Sequence, residues 1–223
     1  RWDRYTIGGE DGMLIYIFGL IGFGDRRAVD LGGGSVRAAN TMNLVLHHDF
    51  DVCVIDGNTR SMEILKSFFG RHPSTRARVY PPTCLSEWID TDTVASLIGD
   101  NGFGGEVDLL SVDLDGVDYW ILAAALEAVT PRVIVVEYQD HLGPDRAWTV
   151  PYRNDFNVGD YEVNADGAYL YCGAGLRAFD ALLAPRGYRY VGSNRDGYNG
   201  FFVKVEGAEA IPEVDLAEGF TSR

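Results

Sequence analysis

The sequence predicts an α/β fold in which helices cover both faces of a doubly wound, mainly parallel sheet. Along most of the chain, short apolar runs typical of strands alternate with segments of helical periodicity. The run at 133–136 consists of valine and isoleucine, which is typical of a strand buried on both faces. Two further strands around a turn at 194–197 close this pattern. Such alternation predicts ligand binding at the carboxyl ends of the parallel strands.

Each predicted element rests on a local signal. The first strand ends in glycines at 32–34, and the third is stopped by Pro81 and Pro82. Strands are expected at 28–31, 52–55, 77–80, 107–112, 133–136, 188–191 and 200–205, where apolar and β-branched residues concentrate. Apolar residues at spacings of three and four predict helices at 11–21, 36–46, 61–69, 85–98, 119–129 and 175–183.

The chain is expected to form a single domain with one insertion. Its 223 residues exceed an average domain of about 150 residues by an amount that α/β folds accommodate. Residues 139–171 lack clear periodicity and contain a set of aromatic side chains, Trp148, Tyr152, Phe156, Tyr161, Tyr169 and Tyr171. A stretch of this length is typical of a lid or a substrate loop, with a small satellite core as the open alternative. The acidic tail from 207 is expected to be flexible.

Charge and composition narrow the classes of partner. The net charge of -14, from 33 acids and 19 bases, repels phosphate backbones and argues against nucleic-acid binding. No apolar run approaches the roughly 20 residues of a membrane helix, and residues 1–10 do not resemble a secretory signal. Cys53, Cys84 and Cys172 form no CxxC pair, which fits a reducing cytoplasm. We expect a small-molecule partner, no membrane partner, and leave a homodimer open.

A glycine turn follows the first strand, and an acid follows the second. Asp30, Gly32 and Gly34 lie in the sequence DLGGG, after which a helix is expected to begin at position 35. A GxGxxG dinucleotide motif is absent, because position 37 is arginine. Asp56 ends the second strand, where a carboxylate can bind both hydroxyls of a ribose. The pair favours a nucleoside cofactor, S-adenosylmethionine (SAM) more than NAD; a plain glycine turn and a solvated aspartate are the alternative.

Acidic residues cluster after the fourth and fifth strands. Asp113, Asp115 and Asp118 lie within six residues, and Glu137 ends the fifth strand. Asp113 should lie beside the cofactor, and with Asp115 and Glu137 it could share a hard cation such as Mg²⁺. Capping of the next helix by Asp115 and Asp118 is an equally open explanation. His141 follows the same edge and suits a general base, unless it is an exposed loop histidine.

Taken together, these motifs resemble those of the class I SAM-dependent methyltransferases, and most closely the FkbM-like group. The resemblance covers residues 9–205. It rests on GEDG at 9–12, DLGGG at 30–34, VIDG at 54–57, SVDLDGVD at 111–118 and NGFFV at 199–203. The run from Asp113 to Asp118 is similar to the D-x-E-G-x-E pattern of the group, with aspartates in place of glutamates.

The resemblance implies a Rossmann-like, seven-stranded sheet with an antiparallel last strand. It also implies methyl transfer to oxygen, often on natural-product or sugar scaffolds. By position, Asp113 would be a metal ligand, Asp115 the base and Glu137 a second ligand. Related metal-dependent enzymes carry paired acids after strand five, whereas Glu137 is followed by tyrosine here, so the metal stays open.

Two rival functions remain compatible with the sequence. An NAD-dependent oxidoreductase would use a similar sheet, although the third glycine of its motif is missing. A non-catalytic Rossmann-like module of a larger assembly would keep the fold without turnover.

Overall fold

The computed structural model describes residues 4–163, 167 and 169–220, and its centre is a seven-stranded sheet. The strands are β1 (Arg27–Leu31), β2 (Asp51–Ile55), β3 (Thr83–Leu85), β4 (Gly105–Val112), β5 (Val129–Glu137), β6 (Tyr188–Ser193) and β7 (Asn199–Lys204). Their order across the sheet is β3-β2-β1-β4-β5-β7-β6. β1 to β5 pair in parallel, and β7 runs antiparallel to both β5 and β6. The predicted doubly wound sheet with an antiparallel last strand is therefore confirmed.

Helices cover both faces of this sheet. They are α1 (Glu10–Ile21), α2 (Met42–His47), α3 (Thr59–Arg71), α4 (Val94–Asp100), α5 (Asp118–Ala125), α6 (Leu176–Leu183) and α7 (Leu216–Gly219). Short 3₁₀ helices lie at Asp140–Leu142, Val158–Asp160 and Ala184–Arg186. Within the described ranges, every helix is too short or too polar to cross a membrane.

The two faces of the sheet bury separate apolar cores. Because side chains alternate along a strand, Val29 and Leu31 point to the face that carries α4, α5 and α6. Ala28 lies in the opposite core with α1, α2 and α3. In β2, Cys53 is fully buried in the first of these cores. Positions 52–55 of β2 and 133–136 of β5 therefore read as continuous apolar runs, which explains why these strands were predictable.

The helix predicted at 36–46 is wrong in its first half, because α2 begins only at Met42. Residues 36–38 form a turn instead. The side chains that follow are held by distant partners: Thr41 Oγ1 donates to Asp30 (2.6 Å) and Asn40 Nδ2 donates to Ser111 (3.0 Å). These two bonds fix residues 40 and 41 against the ends of β1 and β4, which a continuous helix from 36 would not allow.

The strand predicted at 77–80 is also wrong, because β3 follows the two prolines rather than preceding them. Val79 and Tyr80 are 85% and 80% exposed. The Arg78 guanidinium donates to the carbonyl oxygens of Val45 and Phe50, which holds this segment as a loop.

Two predicted helices are shorter than expected. Of the helix predicted at 85–98 only its end lies within α4. The helix predicted at 119–129 ends at Ala125, because Val129 already pairs with β4.

Hydrogen bonds of two aromatic side chains attach the predicted insertion at 139–171 to α5 and to the loop before α4. Trp120 Nε1 donates to the carbonyl oxygen of Val150 (2.9 Å), and the backbone N–H of Thr91 donates to the Tyr152 hydroxyl (3.0 Å). Positions 164–166 and 168 of the insertion, and 221–223 of the tail, lie outside the described residues. Between 207 and 220, Ile211 and Leu216 are buried. The division into one domain, an insertion and a flexible tail stays a prediction.

Candidate functional site

A cavity of about 360 Å³ opens where the carboxyl ends of β1, β2, β3 and β4 meet. Loops after these strands supply its walls, together with one residue of the insertion. The wall residues used below are Gly32, Gly34, Asp56, Gly57, Asn58, Trp88, Ile89, Asp113, Asp115, Gly116 and Phe156. Gly32 and Asp56, predicted from separate motifs, therefore face the same cavity.

Glycine is required in the loop after β1 because the loop lies directly against neighbouring strand ends. Gly32 has φ +89°, and a Cβ there would lie 1.7 Å from the backbone oxygen of Asp113. At Gly34 a Cβ would lie 2.4 Å from Asp56 Oδ2. The Gly34 N–H donates to that oxygen at 3.0 Å, and the Asn58 N–H donates to Asp56 Oδ1 at 2.7 Å. Asp56 thus holds the glycine loop and the start of α3 together at the cavity wall.

Asp30 lies beneath the glycine loop rather than on the cavity wall. It is 1% exposed and accepts a hydrogen bond from Thr41 Oγ1. Burial, which the Thr41 hydrogen bond only partly offsets, raises the pKa of the Asp30 carboxyl to about 6. Because α2 begins at Met42, the expectation that a helix from position 35 directs its free amides at a ligand is wrong.

Asp113, Asp115 and Glu137 form a cluster of carboxylates at the end of β4 and β5. One oxygen from each residue lies within 4.8 Å of the others. Ligand bonds of about 2.1 to 2.5 Å to a shared cation span about 4 to 5 Å, so this cluster fits a hard divalent cation. Asp113 and Asp115 line the cavity, whereas Glu137 reaches the cluster from the last position of β5.

Asp118 organises the loop that carries this cluster. Its carboxylate is fully buried and accepts the N–H groups of Leu114 (2.7 Å) and Gly116 (2.9 Å). The loop contains Asp115 at φ +53°, a left-handed conformation that costs energy for a residue other than glycine. A local structural role therefore accounts for Asp118. No hydrogen bond is found for the Asp113 and Asp115 carboxylates among the described residues.

Electrostatics in the cluster disfavour three separate negative charges. Burial, followed by the charges of Asp118 and Asp115, raises the pKa of Asp113 to about 8. Desolvation also raises the pKa of Asp115. A bound cation or a proton would offset this repulsion.

The structure places His141 away from the cavity wall. It is exposed on the 3₁₀ helix Asp140–Leu142, and the described residues that line the cavity do not include it. His47 and His48 lie at the end of α2. The assignment of His141 as a base stays a prediction.

Two structural features went unrecognised in the sequence. The side chain of Glu10 is buried and accepts from Asn194 Nδ2 (2.6 Å) and Asn199 Nδ2 (3.1 Å), which ties α1 to the β6–β7 hairpin. Trp88 lines the cavity over Gly57, where a Cβ would lie 3.2 Å from the indole. The sequence shows Glu10 in the GEDG motif, Asn199 in the NGFFV motif and Trp88 just after β3. It does not show which residues they contact, because those residues are distant along the chain.

Comparison with known proteins identifies the fold. No protein-family model and no curated protein sequence matches the chain. Among solved structures, an O-methyltransferase from Bacillus cereus in complex with S-adenosylhomocysteine (SAH) shares 18% identity with a TM-score of 0.52, over 90% of this chain and 82% of that one. An O-methyltransferase of tomaymycin synthesis from Streptomyces achromogenes, in complex with SAM, shares 19% identity with a TM-score of 0.52, over 89% and 80%.

A putative O-methyltransferase from Klebsiella pneumoniae shares 15% identity with a TM-score of 0.53, over 90% of this chain and 81% of that one. At such identities the similarity establishes the fold. The chain therefore has the Rossmann-like fold of the class I SAM-dependent methyltransferases.

Proposed function

We propose that the protein is a SAM-dependent methyltransferase that methylates an oxygen of a small molecule, a natural-product or sugar-like acceptor, with help from a divalent cation such as Mg²⁺. We further propose that it belongs with the FkbM-like enzymes. The observation that carries the proposal is that the glycine loop, Asp56 and the acids after β4 line one cavity. Structures of similar fold that hold SAM or SAH support the choice of cofactor.

The cavity wall matches the parts of a nucleoside cofactor. Gly32 and Gly34 keep side chains out of the space next to β1, so that a ligand can lie against the backbone. Asp56 would accept the ribose hydroxyls, and Trp88 with Ile89 would supply an apolar surface for the base. When bound, SAM supplies an activated methyl group on a positively charged sulfur. The acidic edge formed by Asp113 and Asp115 favours that charge.

The carboxylate cluster would prepare the acceptor. Asp113 and Glu137 would hold the cation, whose charge lowers the pKa of an acceptor hydroxyl. Asp115 lines the cavity and would take the hydroxyl proton. Methyl transfer is an in-line displacement, so the remaining task of the protein is to align the acceptor oxygen with the methyl group. His141 is the second candidate for the base.

The structure gives less support to an NAD-dependent oxidoreductase. A pyrophosphate is usually bound by the amides at a helix N-terminus that directly follows the glycine loop. Here α2 begins eight residues after Gly34, at Met42. A non-catalytic module of the same fold would bind the cofactor without methylating any acceptor, so a turnover assay distinguishes it from an enzyme.

The proposal is tested by cofactor binding and turnover in the Asp115→Asn variant. Asparagine tolerates the left-handed backbone of Asp115, so the loop should persist. We expect SAM binding in the wild type and in the variant, and at least about a 100-fold loss of SAH formation in the variant. Calorimetry would measure binding, and mass spectrometry would follow SAH with a panel of hydroxylated acceptors, with and without EDTA.

Asp145→Asn is a matched control, because Asp145 is an exposed acid of the insertion and should leave both readouts unchanged. No SAM binding at millimolar concentration would refute the cofactor assignment. Undiminished turnover in Asp115→Asn would refute the assigned base. Binding without turnover on every acceptor would instead favour the non-catalytic module.

A further inference from the structure

We infer that Phe156, Tyr161 and Tyr171, here called the ring cluster, form the platform on which the acceptor lies. The acceptor would carry a flat apolar ring and no net negative charge. This inference rests on the proposed function and narrows its acceptor class towards ring-containing natural products.

The three rings of the cluster lie in contact with one another. The ring centroids of Phe156 and Tyr161 lie 5.3 Å apart with an interplanar angle of 22°. The Tyr161 and Tyr171 centroids lie 4.7 Å apart at 38°, and those of Phe156 and Tyr171 lie 6.5 Å apart at 23°. Phe156 is stacked with both tyrosines, whereas the two tyrosine rings are tilted against each other. A further flat ring would pack by offset stacking on Tyr171, which is exposed.

The cluster connects the cavity with the solvent. Phe156 is 6% exposed and lines the cavity beside the acidic loop, where a Cβ on Gly116 would lie 2.9 Å from its ring. Tyr171, in contrast, is 45% exposed. The Gly173 N–H donates to the Gly116 carbonyl oxygen (2.6 Å), so that the chain next to Tyr171 is attached to the same loop. An acceptor oxygen near Asp115 would therefore leave the rest of the acceptor next to these rings.

Exposure of Tyr171 distinguishes a binding surface from a closed satellite core. Phe156 is part of the core and Tyr161 packs against it, but Tyr171 and the neighbouring Leu170 are 45% and 49% exposed. Contiguous apolar surface beside a cavity is typical of a ligand-binding site.

Charge around the cluster selects against anions. The described part of the insertion contains five acids and two arginines. Arg153 donates to the Tyr161 hydroxyl of the ring cluster (3.3 Å), but Asp155 pairs with the same guanidinium at 3.1 Å and offsets its charge. Arg146 lies over the Trp148 ring at 4.5 Å. Two more acids, Asp113 and Asp115, line the cavity. Without a bound cation, a carboxylated or phosphorylated acceptor would approach acids of the insertion and of the cavity, which disfavours its negative charge.

Two fluorescent probes of equal ring size test this inference. 7-Hydroxycoumarin and 7-hydroxycoumarin-3-carboxylate share one ring system and differ by a carboxylate. Their fluorescence would be titrated with the protein saturated with SAH, near pH 6, in EDTA so that the carboxylate has no metal to chelate. We expect the uncharged probe to bind at least about tenfold more tightly, with the ratio shrinking as salt is added.

Variants assign the binding to the cluster. Tyr171→Ala should weaken binding of 7-hydroxycoumarin by about fivefold, because a stacked ring pair is worth about 0.5–1.5 kcal/mol. Tyr171→Phe keeps the ring and should bind like the wild type. Tyr169→Ala is the matched control, since this tyrosine is 39% exposed two positions away and lies outside the cluster. Equal binding of the two probes, or an unchanged affinity in Tyr171→Ala, would overturn the inference.

Calorimetry with SAH keeps the two proposals separate. All three variants should bind SAH with the affinity of the wild type. A lower SAH affinity in Tyr171→Ala would indicate a general loss of structure and would contradict a role of the ring cluster that is confined to acceptor binding. Wild-type protein that binds SAH but neither probe would refute the platform alone. Wild-type protein that does not bind SAH would refute the proposed function.

Discussion

Replacing Gly34 with alanine tests whether the glycine loop must lie against Asp56 to form the cofactor site. The new Cβ would lie 2.4 Å from Asp56 Oδ2 and 2.8 Å from its Cγ. The loop and the carboxylate must therefore separate by about 1 Å to reach ordinary contact. That movement breaks the 3.0 Å bond from Gly34 N–H to Asp56, a charge-assisted bond worth about 1.5–3 kcal/mol. We expect the free energy of unfolding to fall by about 1–2 kcal/mol and the affinity for SAH to fall by about 10- to 100-fold.

Urea unfolding would measure the stability of this variant, and calorimetry its affinity for SAH. Gly70→Ala is the control, because Gly70 lies in α3 and an added Cβ there meets nothing within 4 Å. Alanine at that helix position should stabilise the protein by about 0.5–1 kcal/mol and leave SAH affinity unchanged. Wild-type affinity in Gly34→Ala would refute the reasoning that the contact between loop and carboxylate shapes the site.

Three further substitutions test the structure around the cavity. Asp30→Asn should remove a pH dependence of the free energy of unfolding. Because burial raises the pKa of Asp30 to about 6, the folded wild type is stabilised at low pH, where this carboxyl is protonated. Between about pH 4 and 7 the wild type should lose up to about 3 kcal/mol of stability relative to the variant. Parallel urea-derived stability profiles would contradict this. Trp88→Phe should lower the stability measured by thermal unfolding by about 1 kcal/mol, because the indole N–H donates to the carbonyl oxygen of Asn154 at 2.8 Å. An unchanged unfolding midpoint would show that this bond does not contribute to stability. Asp118→Ala should lower the free energy of unfolding in urea by about 3 kcal/mol, since one buried and one partly buried loop amide lose their acceptor. A loss under about 1 kcal/mol would show that other groups accept these hydrogen bonds.

The inner strands were predictable from the sequence, whereas the edge strand β3 was not. The runs at 52–55 and 133–136 are apolar on both faces, because helices cover both sides of them. β3 has only three residues and pairs on one side with β2, so the apolar run before Pro81 gave a stronger but misleading signal. The start of α2 depends on bonds from Thr41 and Asn40 to β1 and β4, which local periodicity does not encode.

The same distinction holds for the site. Gly32, Asp56 and Asp113 could be predicted to lie together because each follows a parallel strand, and these strands end at the same edge of the sheet. Phe156 could not be placed, since its position depends on the path of an insertion without periodicity. The bond from Glu10 to Asn199 joins positions 189 residues apart, which one sequence alone does not reveal.

A crystal structure of the protein with SAH and Mg²⁺ would test the central claim most directly. The account predicts SAH in the cavity with its ribose against Asp56, and an ion bound by Asp113 and Glu137. An adenosine bound elsewhere, with Asp56 contacting only its own loop, would contradict the account.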